Sequence, residues 1–400
     1  MFDQILTFLD QGLLNLSAWG IVLVGLVLVQ ITIAAVTIYL HRHQAHRGLD
    51  MNPVLAHFCR FWLWATTGML TKQWVAIHRK HHAKCETKDD PHSPMVDGIN
   101  KVLWDGVSLY KHEANNQQTM DDYGHGTPDD FMENKVYTRY KQGGIYLNLV
   151  IDILLFGVAG VAVWAIQMIW IPFHAAGVIN GLGHYWGYRN YETQDAATNL
   201  WPLGIWIGGE ELHNNHHAFP SSAKFSMKSW EFDIGWLYIK ILSAFGLVKV
   251  KKVAPKPHID VNRDTIDLET IKAVFANRLH VMANYAKQVT LPVLSEQLSK
   301  EGTCQKAMRK AKTLLVREYP QMDEASRSEL DQVLSDHHEL EVVYKFRVQL
   351  QEVWGRAAAN HDTLVQALKD WCAQAEETGI KVLQDFAKSL RNYTPVAAAT

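Results

Sequence analysis

The 400-residue chain carries 39 Lys plus Arg against 41 Asp plus Glu, and a formal charge of −2 gives no support to a polycationic nucleic-acid binder. Hydrophobic residues make up 48% and charged residues 20%, which excludes wholesale disorder. The four cysteines (Cys59, Cys85, Cys304, Cys372) form no C-x-x-C pair, which argues against a disulfide scaffold, a ferredoxin-type iron–sulfur site and a Cys-rich zinc site.

Residues 2–17 are predicted to form a short amphipathic piece. Gly20 to Leu40 then runs without a single charge. At about 1.5 Å per helical residue this run is roughly 30 Å long, the thickness of a bilayer's hydrocarbon core. A cleaved signal peptide is the poorer reading: Asp3 and Asp10 stand where basic residues would precede the run, and no small-residue cleavage site follows. Pro53 to Ile77 is apolar and aromatic but interrupted by His57, Arg60 and Lys72, and is read as lying in the membrane interface. A second apolar region begins at Leu147, contains one acidic residue, Asp152, and is long enough for two spans, placed at 147–166 and 168–187. Residues 251–264 are basic, carry two prolines and read as a linker. Beyond it, residues 265–400 place apolar side chains at helical spacing, as at Leu330, Val333, Leu334 and His337, and predict cytosolic amphipathic helices. The expected division is therefore a membrane domain over 1–250, the linker, and a helical C-terminal region.

Fifteen of the 20 histidines precede residue 218. They form four clusters: His41 and His46 after the first span; His78, His81 and His82; Asn180 and His184 at the end of the second apolar region; and His213, His216 and His217. The i, i+3, i+4 spacing of the second and fourth clusters stacks three imidazoles on one helix face, and Asn180 shares a face with His184. His41 and His46, five apart, stand about 140° apart on an ideal helix and would converge better where the helix ends. A lone His pair beside a membrane helix is usually an interfacial polar group. Four clusters, with one triplet repeated, are not. Nine imidazoles are too many for one metal and suit two, with four or five each; imidazole accepts Fe, Zn, Cu and Ni, so the ligands leave the metal open.

Convergence also implies a topology. No pair of spans fits between His46 and His78, two fit between His82 and His184, and none fits between His184 and His213, so all four clusters lie on one side. Arg42, Arg47, Lys72, Arg79, Lys80, Lys84 and Lys88 line that side and make it cytoplasmic by the positive-inside rule. Asp90, Asp195, Glu210 and Glu211 are candidate acceptors for the second ring nitrogens. His43, His57, His92, His112, His125 and His174 are read as structural or supporting.

The four clusters, with Trp74 before the second and Asp90-Pro91-His92 after it, resemble the membrane fatty acid desaturases over residues 15–250. The likeness is to the stearoyl-CoA (acyl-CoA delta-9) branch and its bacterial members. It implies an all-α integral membrane protein of the bacterial inner membrane, with a cytosolic histidine-rich di-iron cap. The resemblance further implies two Fe (Fe2+/Fe3+) held by all nine histidines, with Asn180 reaching one iron through water, and no catalytic residues beyond the ligands. The implied reaction removes two hydrogens from a saturated fatty acyl chain, as acyl-CoA or on another acyl carrier, and reduces O2 to water; the resemblance makes Trp74, Tyr185 and Trp186 candidate walls of a bent apolar tunnel for that chain and Lys111 a candidate contact for a phosphate of its carrier. Electrons would come from a separate ferredoxin-like donor with its NAD(P)H reductase; membrane lipid is an expected partner and nucleic acid is not. Membrane hydroxylases share similar boxes and give the alternative, a di-iron hydroxylase acting on an alkyl or lipid chain. Two features depart from animal members: Ala76-Ile77 stands where a polar Arg-Asp pair is expected, and the region before the first box is short. The tail from about Leu330 faintly resembles the helical C-terminus of insertion-sequence transposases, without a catalytic acidic triad, and is read as a docking or oligomerisation appendage.

Overall fold

The computed structural model describes residues 2–300, 305–317, 319, 322–355 and 360–395. It is mostly helical and divides into two compact units, Met1–Arg189 with Asp195–Ala254, and Asn190–Gln194 with Pro255–Thr400.

In the first unit, Ser17 starts a long helix: its Oγ accepts from the Gly20 N–H at 3.2 Å, satisfying one of the free donors of a helix start. The helix runs Ala18–Ala45, 28 residues, with a stretch of mean hydropathy 2.7. It does not end where the histidines begin. From Ala35 to Ala45 it widens into a π-helix, and the His46 N–H donates to the His41 carbonyl at 3.1 Å. With i→i+5 bonding, residues five apart stand nearly over one another, as residues four apart do in an α-helix. His41 and His46 are thus brought together by loosening the helix, with ring centroids 4.9 Å apart.

Residues 53–77 form parts of two helices. Asn52 caps Pro53–Thr67, its Oδ1 accepting from the Val54 N–H at 2.9 Å. That helix stops at Gly68 in the left-handed region (φ +65), and Thr71–Lys84 follows with His78, His81 and His82. The second apolar region turns earlier than the sequence suggested. Helix Gly143–Phe156 ends at Gly157 (φ +63), where a Cβ would meet the Leu9 carbonyl oxygen at 2.3 Å, so only glycine fits the corner. Ala159–Leu182 is then one continuous 24-residue helix. It passes through Pro172 by widening over Pro172–Leu182 into i→i+5 bonds, which absorb the missing donor and the ring's bulk, and it delivers Asn180 and His184.

Val29, Ile33, Val36, Tyr39 and Leu40 pack on Cys59, Leu63 and Ile171, an interface held by close van der Waals contact. The outer faces stay apolar, with Trp19, Leu23, Leu26, Val27, Ile166 and Ile169 exposed. Polar groups turn inward: Asn148 and Gln167 both donate to Asp152, at 3.2 and 2.9 Å. Short strands tie the ends, Leu49–Met51 antiparallel to Val248–Val250 and Leu203–Gly204 parallel to Phe232–Asp233.

The second unit is a helical bundle. Asp267 and Thr270 form a capping box before Leu268–Ala276, and Asp323 and Asn360 cap Glu324–Asp336 and His361–Glu377. Leu330, Leu340, Val343, Leu368, Trp371 and Phe386 build its core, with Val333 and Leu334 packed against it. The buried Tyr285 hydroxyl donates to the Val343 carbonyl at 2.6 Å.

Candidate metal centre

The nine sequence-selected imidazoles meet in the first unit. His41, His46, His78, His82 and His216 present ring nitrogens that all lie within 4.8 Å of one another. His81, His184 and His217 form a second group of the same tightness, together with Cys85. His213 joins this group through His184, their Nε2 atoms lying 2.9 Å apart. Nε2–Nε2 separations of 3.0 Å (His41 and His216), 2.9 Å (His82 and His216) and 2.8 Å (His46 and His78) bind the first group.

Carboxylates orient four of the rings. The Nδ1 atoms of His41, His81, His217 and His184 lie 2.8, 2.9, 2.9 and 3.3 Å from Glu210, Asp90, Asp195 and Glu86. An ionised carboxylate only accepts, so each ring donates from Nδ1 and presents a bare Nε2. Glu210 is itself held by the Thr37 hydroxyl at 2.7 Å. Glu211, also singled out in the sequence, binds no ring: it accepts from the backbone N–H groups of Trp206, Ile207 and Gly209.

This donor set fits a cation. His216 Nε2 faces two other Nε2 atoms, one of them bare, and a single proton cannot satisfy both contacts. His217 Nε2 is buried without a hydrogen-bond partner. A positive ion shared among these lone pairs resolves both. Burial, with repulsion from neighbouring imidazoles, pushes His46 down to about 3; burial, against the pull of Asp195, takes His217 down to about 4. His78, His82, His213 and His216 are lowered in the same way. These six rings are therefore neutral at neutral pH, the form that binds metal. A ring held below its unfolded value leaves the folded chain poorer in protons than the unfolded one, so stability is complete above pH about 6.5 and drains as the pH falls towards about 4 for His217 and about 3 for His46. The melting temperature of metal-free protein in detergent is expected to be flat above neutrality and to fall through that window; a flat profile throughout would contradict neutral, buried rings.

A cavity of about 440 Å³ opens from the imidazoles. His41, His78, His213 and Asn180 stand in its wall, which continues along Trp74, Ile77, Ile145 and Ile171 to Lys111, Asn115, Lys141 and Gln142. Lys111, Asn115 and Gln142 are exposed and mark its opening. Trp74 also stacks on His78 with centroids 4.8 Å apart. Tyr185 and Trp186 do not line the cavity: the chain leaves its helix at Gly183, and both side chains are exposed.

A family model described as Fatty acid desaturase matches residues 17–233, which include every one of these imidazoles. The chain belongs to the fatty acid desaturase family. Among desaturase relatives, the Delta-9 acyl-lipid desaturase 1 of Arabidopsis thaliana is 30% identical over 238 residues, covering 57% of this chain and 74% of that protein. The sn-1 stearoyl-lipid 9-desaturase of Anabaena variabilis is 29% identical over 249 residues (60% and 86%), and the Acyl-CoA 5-desaturase AL21 of Anemone leveillei 31% over 233 (56% and 68%). A second family model, described as Transposase, matches residues 270–397.

Two neighbours of the imidazoles, Glu86 and Cys85, were not singled out in the sequence, and a third, His92, was given only a supporting place. Glu86 orients His184 from the turn after the second box. His92, read only as supporting, stands in the cavity wall beside Asp90 and His81. Cys85 lies four residues after His81, the spacing of one helix face, and that was the readable signal.

Proposed function

We propose that this chain is a membrane-embedded delta-9 desaturase that uses two irons, held by the nine histidines, to place a cis double bond in a saturated acyl chain delivered as acyl-CoA. The observation that carries the reading is the convergence of nine buried or half-buried imidazoles, three of which, His41, His78 and His213, stand in the wall of a largely apolar cavity. Irons bound there would supply the O2-derived oxidising power that an unactivated C–H bond requires. The chain's own residues do the rest. Glu210, Asp90, Asp195 and Glu86 fix the ring tautomers, Asn180 holds a water towards one metal position, and Ile77, Ile145 and Ile171 exclude water from the acyl chain. Lys111 and Lys141 put positive charge at the opening, suited to a phosphate-bearing carrier.

Two helices long and apolar enough to span, with apolar outer faces and inward polar groups, support membrane insertion. The basic residues around the boxes support a cytoplasmic face, in a bacterial inner membrane. We assign desaturation to residues 1–250 and a cytosolic helical appendage to 265–400, with electrons arriving from a ferredoxin-like donor and its NAD(P)H reductase. Expression in a host without such enzymes, followed by double-bond mapping of its fatty acids, is expected to reveal a new double bond at carbon 9. Oxygenated chains without unsaturation would establish the hydroxylase alternative instead. Membranes supplied separately with stearoyl-CoA and stearoyl phospholipid decide the carrier, with turnover expected on the first.

A further inference from the structure

The second imidazole group contains a sulfur. Cys85, a free thiol closing Thr71–Lys84, places Sγ 3.9 Å from the bare His81 Nε2 and belongs with His81, His184 and His217 to one group whose candidate ligand atoms all lie within 4.8 Å of one another. Two ligands of one first-row divalent metal, with legs of about 2.3 Å to sulfur and about 2.1 Å to nitrogen, lie roughly 3.5–4 Å apart. A second observation points to the same place. His217 Nε2 belongs to this group, is buried and has no partner, while its Nδ1 is committed to Asp195. His81 likewise spends Nδ1 on Asp90, so its Nε2 faces the sulfur.

We propose that Cys85 is a thiolate ligand of the metal held by His81, His184 and His217. The two metal positions then differ: imidazoles alone at His41, His46, His78, His82 and His216, imidazoles plus an anionic sulfur at the other. This assignment rests on reading the histidines as a two-metal site. Binding replaces the S–H bond by a metal–sulfur bond and releases the thiol proton to solvent. In metal-free protein the thiol keeps that proton, because burial and the carboxylates of Asp195, Asp90 and Glu86 raise it. A soft anionic donor makes its position more electron-rich than the all-imidazole neighbour and raises its preference for metals that accept sulfur.

The test uses the purified full chain loaded with cobalt(II). A sulfur-to-cobalt charge-transfer band in the near ultraviolet is expected, absent in Cys85→Ser, with the affinity for the second cobalt about tenfold lower or weaker still. Identical spectra in the two proteins overturn the proposal. X-ray absorption of the unsubstituted iron-loaded protein needs no variant: a sulfur shell at about 2.3 Å is expected, and a shell of light atoms alone overturns it. Two metals per chain without a sulfur signal remove Cys85 and leave the histidine reading standing; no bound metal at all removes both.

Discussion

Replacing His216 with alanine is expected to abolish new unsaturation and to leave less than two irons per chain, with the protein still in the membrane fraction. His216 is fully buried, and its Nε2 lies 3.0 Å from that of His41 and 2.9 Å from that of His82, so removing it opens the middle of the larger group. A neighbouring substitution sets the scale. Asp195→Asn keeps every ring but weakens the acceptor that fixes His217, and loss of such an orienting partner costs about 10–100-fold in metal affinity or activity. The His216 variant must exceed that loss, in iron measured by plasma emission and in double bonds measured by mass spectrometry. A His216→Ala protein that retained two irons would remove His216 from the ligand set. Its melting temperature, taken alongside, separates ligand loss from collapse of the surrounding packing.

The site was legible where its chemistry is local. His78, His81 and His82 share a face because 3.6 residues make a turn, and a triplet at i, i+3, i+4 announces itself in any helix. Asp90, Asp195 and Glu210 could be named as acceptors because they are among the few carboxylates near the boxes. The path that brings His41 to His46 was not legible. An i→i+5 widening has no sequence signature of its own; here Leu40 to Arg42 are buried on all sides, and packing sets the bond pattern. The corner at Gly157 escaped for a related reason: a region with apolar residues throughout carries no periodicity to mark its turn, and Pro172, the obvious breaker, is absorbed within the helix. Tyr185 and Trp186 were placed by their aromatic character alone, and a ring at a helix exit faces wherever the next residues turn.

Arg42, between the first two histidines, carries the largest expected effect on stability. Its guanidinium is fully buried and donates to both Asp233 oxygens at 3.1 and 2.9 Å, to the Ala223 carbonyl at 2.9 Å and to the Gly208 carbonyl at 3.0 Å. It also lies 3.8 Å over the Phe225 ring, which packs on His41 and His216 with centroids 5.4 and 4.8 Å away. One side chain therefore holds the widened helix, the loop at 208, the segment at 223–225 and the start of helix Ile234–Ala244, where Asp233 caps by accepting from the Trp236 N–H at 2.9 Å. Arg42→Met leaves the buried Asp233 carboxyl group without its counter-charge, a defect costing about 3–5 kcal/mol. At roughly 2–4 °C of midpoint per kcal/mol, the melting temperature should fall by about 6–20 °C. Arg42→Lys should recover only part of this, since an ammonium can neither fork onto two oxygens nor stack on Phe225. Adding Asp233→Asn to Arg42→Met removes the stranded carboxyl group while keeping a cap for Trp236, and should restore part of the loss. If the double variant is no more stable than Arg42→Met, the penalty lies in lost packing around Phe225, and iron occupancy at His41 and His216 should then fall in step with it.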